Sequence, residues 1–231
     1  MTTLITGASG AIGRAVAVAF SEDELILQAY SQKEALNQFV REKQLAAQVV
    51  SCNLQDIQEF ETWLVTIGTV DRIVYVAGNH EYGLLVDQSL SALDKLYHIH
   101  VRSLVRLVQH VVEQKPYDRP LDIVVVSSVW GEVGAAGEVL YSTVKAAQLG
   151  FVKSFAREGG PFQVRINAVT PGWIDTPMND TVEEAKQDVR DEVPLGRLGS
   201  PEDVAETIRF LCSPAAAYMT GTVLRIDGGW V

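Results

Sequence analysis

The sequence predicts an α/β protein, a doubly wound parallel sheet of about seven strands with helices on both faces. Three observations lead there. Short β-rich runs alternate with longer helical stretches through all 231 residues. Several runs, Ile123-Val124-Val125-Val126 above all, are apolar without interruption, as strands covered on both faces must be. A glycine-rich turn leads from the first run directly into the first helical stretch.

In chain order, strands are expected at 2–6, 25–30, 47–52, 72–77, 121–127, 164–169 and 223–227. Helices are expected at 11–20, 33–43, 57–65, 89–114, 141–158 and 201–212. Such alternation builds right-handed βαβ crossovers. No repeat, low-complexity tract or Pro/Ser-rich linker divides the chain, so residues 1–231 read as one domain. The stretch 172–199, charged and carrying Pro177 and Pro194, reads as a flap over the substrate.

Composition excludes other classes. Hydrophobic residues make up 47% and charged residues 21%, a globular balance. Nineteen Lys and Arg against 29 Asp and Glu leave a net charge of −10, which disfavours nucleic acid and anionic membranes. Two cysteines, Cys52 and Cys212, cannot form a disulfide scaffold or a four-cysteine metal site. The strand-like opening leaves no room for a secretion signal, and no apolar run is long enough to span a bilayer. A cytoplasmic protein is expected.

The turn after the first strand reads Thr6-Gly7-Ala8-Ser9-Gly10-Ala11-Ile12-Gly13. Glycines let the backbone turn tightly beside a pyrophosphate, which the free N–H groups of the following helix then hold. This is the phosphate turn of a Rossmann-type fold. The segment resembles the Thr-Gly-x-x-x-Gly-x-Gly turn of short-chain dehydrogenases/reductases, except that Ala11 replaces the second glycine and Gly10 stands one place early. Further matches are Asn167-Ala168-Val169-Thr170-Pro171-Gly172, Gly196-Arg197-Leu198-Gly199-Ser200-Pro201-Glu202-Asp203-Val204 and Asp227-Gly228-Gly229. The resemblance covers essentially the whole chain.

It implies a nicotinamide dinucleotide held by Gly7, Ser9, Gly10, Ala11, Ile12 and Gly13. Asn53 and Leu54 match the adenine-side position, and Ala77-Gly78 the turn after the fourth strand, where Tyr75-Val76 replace two asparagines. Pro171, Gly172, Ile174 and Thr176, with Tyr141 and Lys145, complete the implied cofactor contacts. A carboxylate ending the second strand would bind the 2′-hydroxyl of NAD and repel the 2′-phosphate of NADP. None precedes Glu34, and Ser31 and Lys33 are available to a phosphate. NADP(H) is therefore expected over NAD(H).

Ser128, Tyr141 and Lys145 match the family's catalytic spacing. Tyr141 and Lys145, four apart on a helix, share one face. Ketone reduction places negative charge on oxygen, and that oxygen needs a proton. The expected roles are Tyr141 as proton donor, Ser128 as hydrogen-bond donor to the oxygen, and Lys145 tuning the phenol and reaching the ribose. The asparagine of the family's proton relay aligns with His100, whose imidazole is expected to pass protons in its place. His98 and His100, two apart on a helix, point away from each other. His80 and His110 have no evident partner, and no metal is expected.

The general pattern resembles the 3-oxoacyl-[acyl-carrier-protein] reductases. Ser127-Ser128-Val129-Trp130-Gly131 and Gly137-Glu138-Val139-Leu140-Tyr141-Ser142-Thr143-Val144-Lys145 resemble more closely the elongation factor P 5-aminopentanone reductases. That branch reduces a ketone on a modified lysine of a translation factor. Trp130, Glu132 and Glu138 fall where the substrate mouth is expected, with an acid there suiting a cationic amine. The implied partners are a ketone carried on elongation factor P or acyl carrier protein, and a homo-tetramer or dimer formed through the helices at 89–114 and 141–158. A non-catalytic NADP-binding sensor is the alternative of another class, against which the intact trio speaks.

Overall fold

Seven strands form one sheet in the computed structural model, which describes residues 1–179 and 183–231. They are β1 (Thr2–Thr6), β2 (Glu24–Ala29), β3 (Ala47–Ser51), β4 (Arg72–Tyr75), β5 (Leu121–Val126), β6 (Val164–Pro171) and β7 (Val223–Ile226). The pairings are parallel, in the order β3-β2-β1-β4-β5-β6-β7. The winding direction reverses between β1 and β4, which opens a crevice at their carboxyl ends. Helices α1 (Ala11–Ala19), α2 (Lys33–Glu42), α3 (Ile57–Leu64), α4 (Leu90–Tyr97), α5 (Ser103–Gln114), α6 (Trp130–Val133), α7 (Val139–Gly159), α8 (Glu183–Glu192) and α9 (Pro201–Leu211) follow in chain order.

Strand periodicity of two divides the core between the two faces. Leu4, Ile73, Ile123 and Val125 pack with Phe60 of α3, Leu104 and Leu107 of α5, and Val152 of α7. Their neighbours Ile5, Val74, Val124 and Val126 pack on the other face with Val16 of α1, Leu36 of α2 and Ile208 of α9. Burying each such side chain contributes roughly 1.5–3 kcal/mol before conformational entropy is subtracted. Caps mark several helix starts. Asp56 accepts from the N–H groups of Gln58 and Glu59 at α3, and Ser200 and Asp203 form a reciprocal capping box at α9.

Two sequence expectations need correction. The fourth strand ends at Tyr75 rather than 77, because the N–H groups of Val76 and Ala77 donate to Thr6 Oγ1 (3.1 and 3.2 Å) instead of continuing the ladder. The helix expected over 89–114 is interrupted by a π-helical stretch at His98–Arg102 between α4 and α5. The stretch 172–199, expected as a flap, contains α8, and Val189, Val193 and Leu198 pack with Trp173 and Trp230. A bridge between Ile174 and Gly199 closes its base.

Candidate active site

The carboxyl ends of β4, β5 and β6 bring the expected catalytic residues together. Ser128 lies just past β5, almost fully buried, with its Oγ accepting from Trp130 N–H at 3.2 Å. That contact leaves the hydroxyl proton free to donate. Tyr141 and Lys145 lie one turn apart on α7, with Lys145 Nζ 5.5 Å from the centre of the Tyr141 ring. Ser127 Oγ donates to the Lys145 carbonyl at 3.0 Å and fastens α7 to the end of β5. Gly131 permits the close seat of α6 on α7, since a methyl there would meet the Lys145 carbonyl carbon at 2.8 Å.

Lys145 is buried and its Nζ donates to the Val126 carbonyl at 2.9 Å. Burial lowers its pKa to about 7. Burial chiefly, and the nearby Glu138 carboxylate second, hold the Tyr141 phenol well above its ordinary range, while a hydrogen bond with Ser128 pulls the other way. The apolar surroundings thus dominate over the expected help from the Lys145 charge.

His100, expected to pass protons, lies against the Tyr141 ring. It is fully buried, and its Nε2 donates to the Asn79 carbonyl at 2.8 Å. Burial first, then the charge of Lys145, lower its pKa to about 3, so the ring is neutral at physiological pH. Its backbone carbonyl accepts from Gln148 Nε2 at 2.9 Å. The ring meets Tyr141 edge-on at 5.7 Å between centres and fills the space where a methyl on Gly78 would lie 2.4 Å from His100 Cε1. The glycine of that turn is therefore required by the histidine.

His80, without an evident partner in the sequence, belongs to the same cluster. Its Nε2 lies 3.3 Å from Glu138 Oε1, and its ring meets Tyr141 edge-on at 6.0 Å. Glu138 is accordingly turned inward, its side chain 13% exposed. Glu138, expected at the substrate mouth, is there paired with His80. Glu132 is also engaged, by Arg225 at 2.8 Å. Trp130 packs edge-on against Trp230 at 5.1 Å, so an aromatic wall from the middle and the end of the chain stands beside Ser128.

The glycine turn provides the cradle that a dinucleotide requires. Gly7 has φ +64°, and a methyl on it would meet Ala77 Cα at 2.7 Å; one on Gly13 would lie 2.4 Å from the Gly7 carbonyl oxygen. Gly10 begins α1 with no side-chain cap, leaving N–H groups of the first turn, including those near Ala11 and Ile12, for an anion. Gln28, which nothing in the sequence singles out, stitches this turn in place. It accepts from Gly7 N–H at 2.9 Å and donates to the Cys52 carbonyl at 2.7 Å.

Ser9 is partly buried beside the turn, while Ser31 and Lys33 are exposed past the end of β2, with Glu34 the first carboxylate after it. Asn53 follows β3, its N–H held by Glu59 at 2.9 Å, and the Leu54 side chain is committed to the core. Pro171 ends β6; Gly172 is packed so closely that a methyl would meet Asp227 Cβ at 2.8 Å. Ile174 is buried on Gly199, and Thr176 is half-buried nearby. The uncapped start of α1 and the close backbone packing at Gly7 and Gly13 suit the phosphates of a dinucleotide.

Known proteins share this architecture. The profile of the enoyl-(acyl carrier protein) reductase family matches residues 7–231. The oxidoreductase YmfI of Bacillus subtilis is 35% identical over 99% of this chain and 98% of its own length. The 3-oxoacyl-[acyl-carrier-protein] reductase FabG of Aquifex aeolicus is 35% identical over 98% of this chain and 96% of its own. Among solved structures, a short-chain dehydrogenase/reductase from Brucella melitensis superposes with a TM-score of 0.91 at 27% identity, covering 100% of this chain and 96% of its own. BdcA in complex with NADPH gives 0.89 at 27% identity, covering 99% and 93%.

Proposed function

The chain belongs to the short-chain dehydrogenase/reductase family, and on that basis we propose that it is an NADPH-dependent reductase of a ketone carried on a protein. The observation that carries this reading is the convergence of Ser128, Tyr141 and Lys145 at the carboxyl edge of the sheet, the same edge at which α1 begins uncapped. Hydride donation to the carbonyl carbon is the chemistry that NADPH supplies when bound. Ser128 Oγ–H donates to the ketone oxygen, and Tyr141 Oη delivers its proton as negative charge gathers there. Lys145, shielded from water, would hold the ribose of the bound cofactor.

The substrate we favour is the 5-aminopentanone group on a modified lysine of elongation factor P. It is supported by the sequence likeness over 127–131 and 137–145, and by a net charge of −10, which attracts a cationic amine and repels an acidic carrier at long range. A second reading, reduction of a β-ketoacyl group on acyl carrier protein, is favoured by FabG relatives at 35% and 34% identity. NADP over NAD is supported by exposed Ser31 and Lys33 past β2, and by structural neighbours solved with NADPH.

The deciding experiment follows NADPH consumption by the purified chain with elongation factor P bearing the ketone and with a β-ketoacyl carrier protein. A kcat/KM at least about tenfold higher for the first supports the favoured substrate, a difference of about 1.4 kcal/mol. The reverse order assigns the second reading. Tight NADPH binding without turnover of any ketone would instead identify a sensor.

A further inference from the structure

The plane of a tyrosine ring turns readily about Cβ–Cγ; that turn leaves Oη in place and swings the O–H bond, which prefers the ring plane. Where the phenol must deliver a proton, its aim is set by the groups packed against the ring. Tyr141 is met by two imidazoles, each nearly perpendicular to it: His80 at 84° and 6.0 Å, and His100 at 86° and 5.7 Å. Both are fixed from behind. His100 Nε2 donates to the Asn79 carbonyl at 2.8 Å, and His80 Nε2 is paired with Glu138 Oε1 at 3.3 Å.

Asn79 and His80 are consecutive, so one short segment after β4 supports both imidazoles. That segment is latched to the start of α7. Gly83 N–H donates to the Gly137 carbonyl at 2.8 Å, and the Tyr82 ring lies where a methyl on Gly137 would meet Cε2 at 2.7 Å. The second oxygen of Glu138 is buried without a partner. A desolvated carboxylate with one partner is costly, and a simple surface fastening would not require one.

We propose that His80 is a positioning residue of the reduction, pinned by Glu138 so that its ring and that of His100 clamp Tyr141 with its hydroxyl aimed at the ketone oxygen. The inference rests on Tyr141 being the proton donor, so turnover by the parent chain and its loss in Tyr141→Phe are established first.

The test then follows kcat and both KM values for NADPH reduction of a small neutral ketone in four variants. His80→Ala and Glu138→Ala should each lower kcat about 10- to 100-fold, the scale of a misplaced reacting group, with KM for NADPH within about twofold. His80→Gln keeps a donor for Glu138 but removes the ring, so it should be as impaired as His80→Ala. Glu138→Gln keeps an acceptor for His80 and should lose less kcat than Glu138→Ala; an equal loss in both would overturn the pin.

Ring-flip rates of Tyr141, measured by NMR on protein with labelled tyrosine, should rise in His80→Ala. Full activity in His80→Ala, or near-parental kcat in His80→Gln, or unchanged ring flipping, overturns the proposal. An inactive parent, or an active Tyr141→Phe, instead overturns the reading on which it rests.

Discussion

Tyr141 sits among groups from three other segments, His80, His100 and Ser128, with Glu138 and Lys145 about one turn to either side along its own helix. Each contributes something different, and substitutions separate them. Tyr141→Phe should reduce turnover by at least about 100-fold, the usual worth of a positioned proton donor, while the Kd for NADPH stays nearly unchanged. Lys145→Met should raise that Kd as well, since the ammonium serves both ends of the site. Stopped-flow turnover and fluorescence titration of NADPH check the pair. At the other end of the cofactor, Ser31→Asp should move preference from NADPH towards NADH by repelling the 2′-phosphate. A ratio of kcat/KM values that does not move would remove Ser31 from the phosphate site.

At the scale of elements, the start of α9 shows how local chemistry fixes a boundary. Ser200 Oγ accepts from Asp203 N–H at 3.2 Å, and the Asp203 carboxylate accepts from Ser200 N–H at 2.7 Å and from Arg197 at 2.6 and 2.9 Å. Arg197 chiefly, with the backbone N–H of Ser200, lowers the Asp203 pKa from 3.8 to about 2. A carboxylate depressed on folding stabilises the native state above its unfolded pKa, and the benefit is lost as pH falls through the folded one. Asp203→Ala should therefore cost about 1 kcal/mol at neutral pH, a typical cap. Its deficit against the parent should shrink between pH 3.8 and about 2. Urea unfolding across that range reads both. A deficit independent of pH would show that packing, not the ionised cap, holds this end of the helix.

For the whole molecule, the net charge of −10 acts at distances beyond any single contact. Salt shortens that reach to about 8–10 Å at physiological strength. If the substrate bears a cationic amine, its kcat/KM should fall as salt is raised. With an acidic carrier, kcat/KM should rise, because repulsion is screened. Steady-state rates from low to high sodium chloride distinguish the two, and a flat response to salt for both would remove long-range charge from the choice of substrate.

The sequence by itself determined the seven strands, their helical crossovers and the trio Ser128, Tyr141 and Lys145, because these depend on period and spacing along the chain. Period two in Leu4-Ile5 and Ile73-Val74 already assigns each residue to one face or the other, and the offset of four between Tyr141 and Lys145 is a property of any helix. Helix α8 escaped the same logic: mostly polar, it is held by Val189, Val193 and a distant Trp230. Only the tertiary structure decided what stands around the phenol. His80 meets Glu138 across a gap of many residues, His100 loses its charge through burial, and Gln28 ties the glycine turn to the end of β3. Desolvation and contact between remote segments depend on how the crossovers bring strand ends together, and no local pattern encodes them.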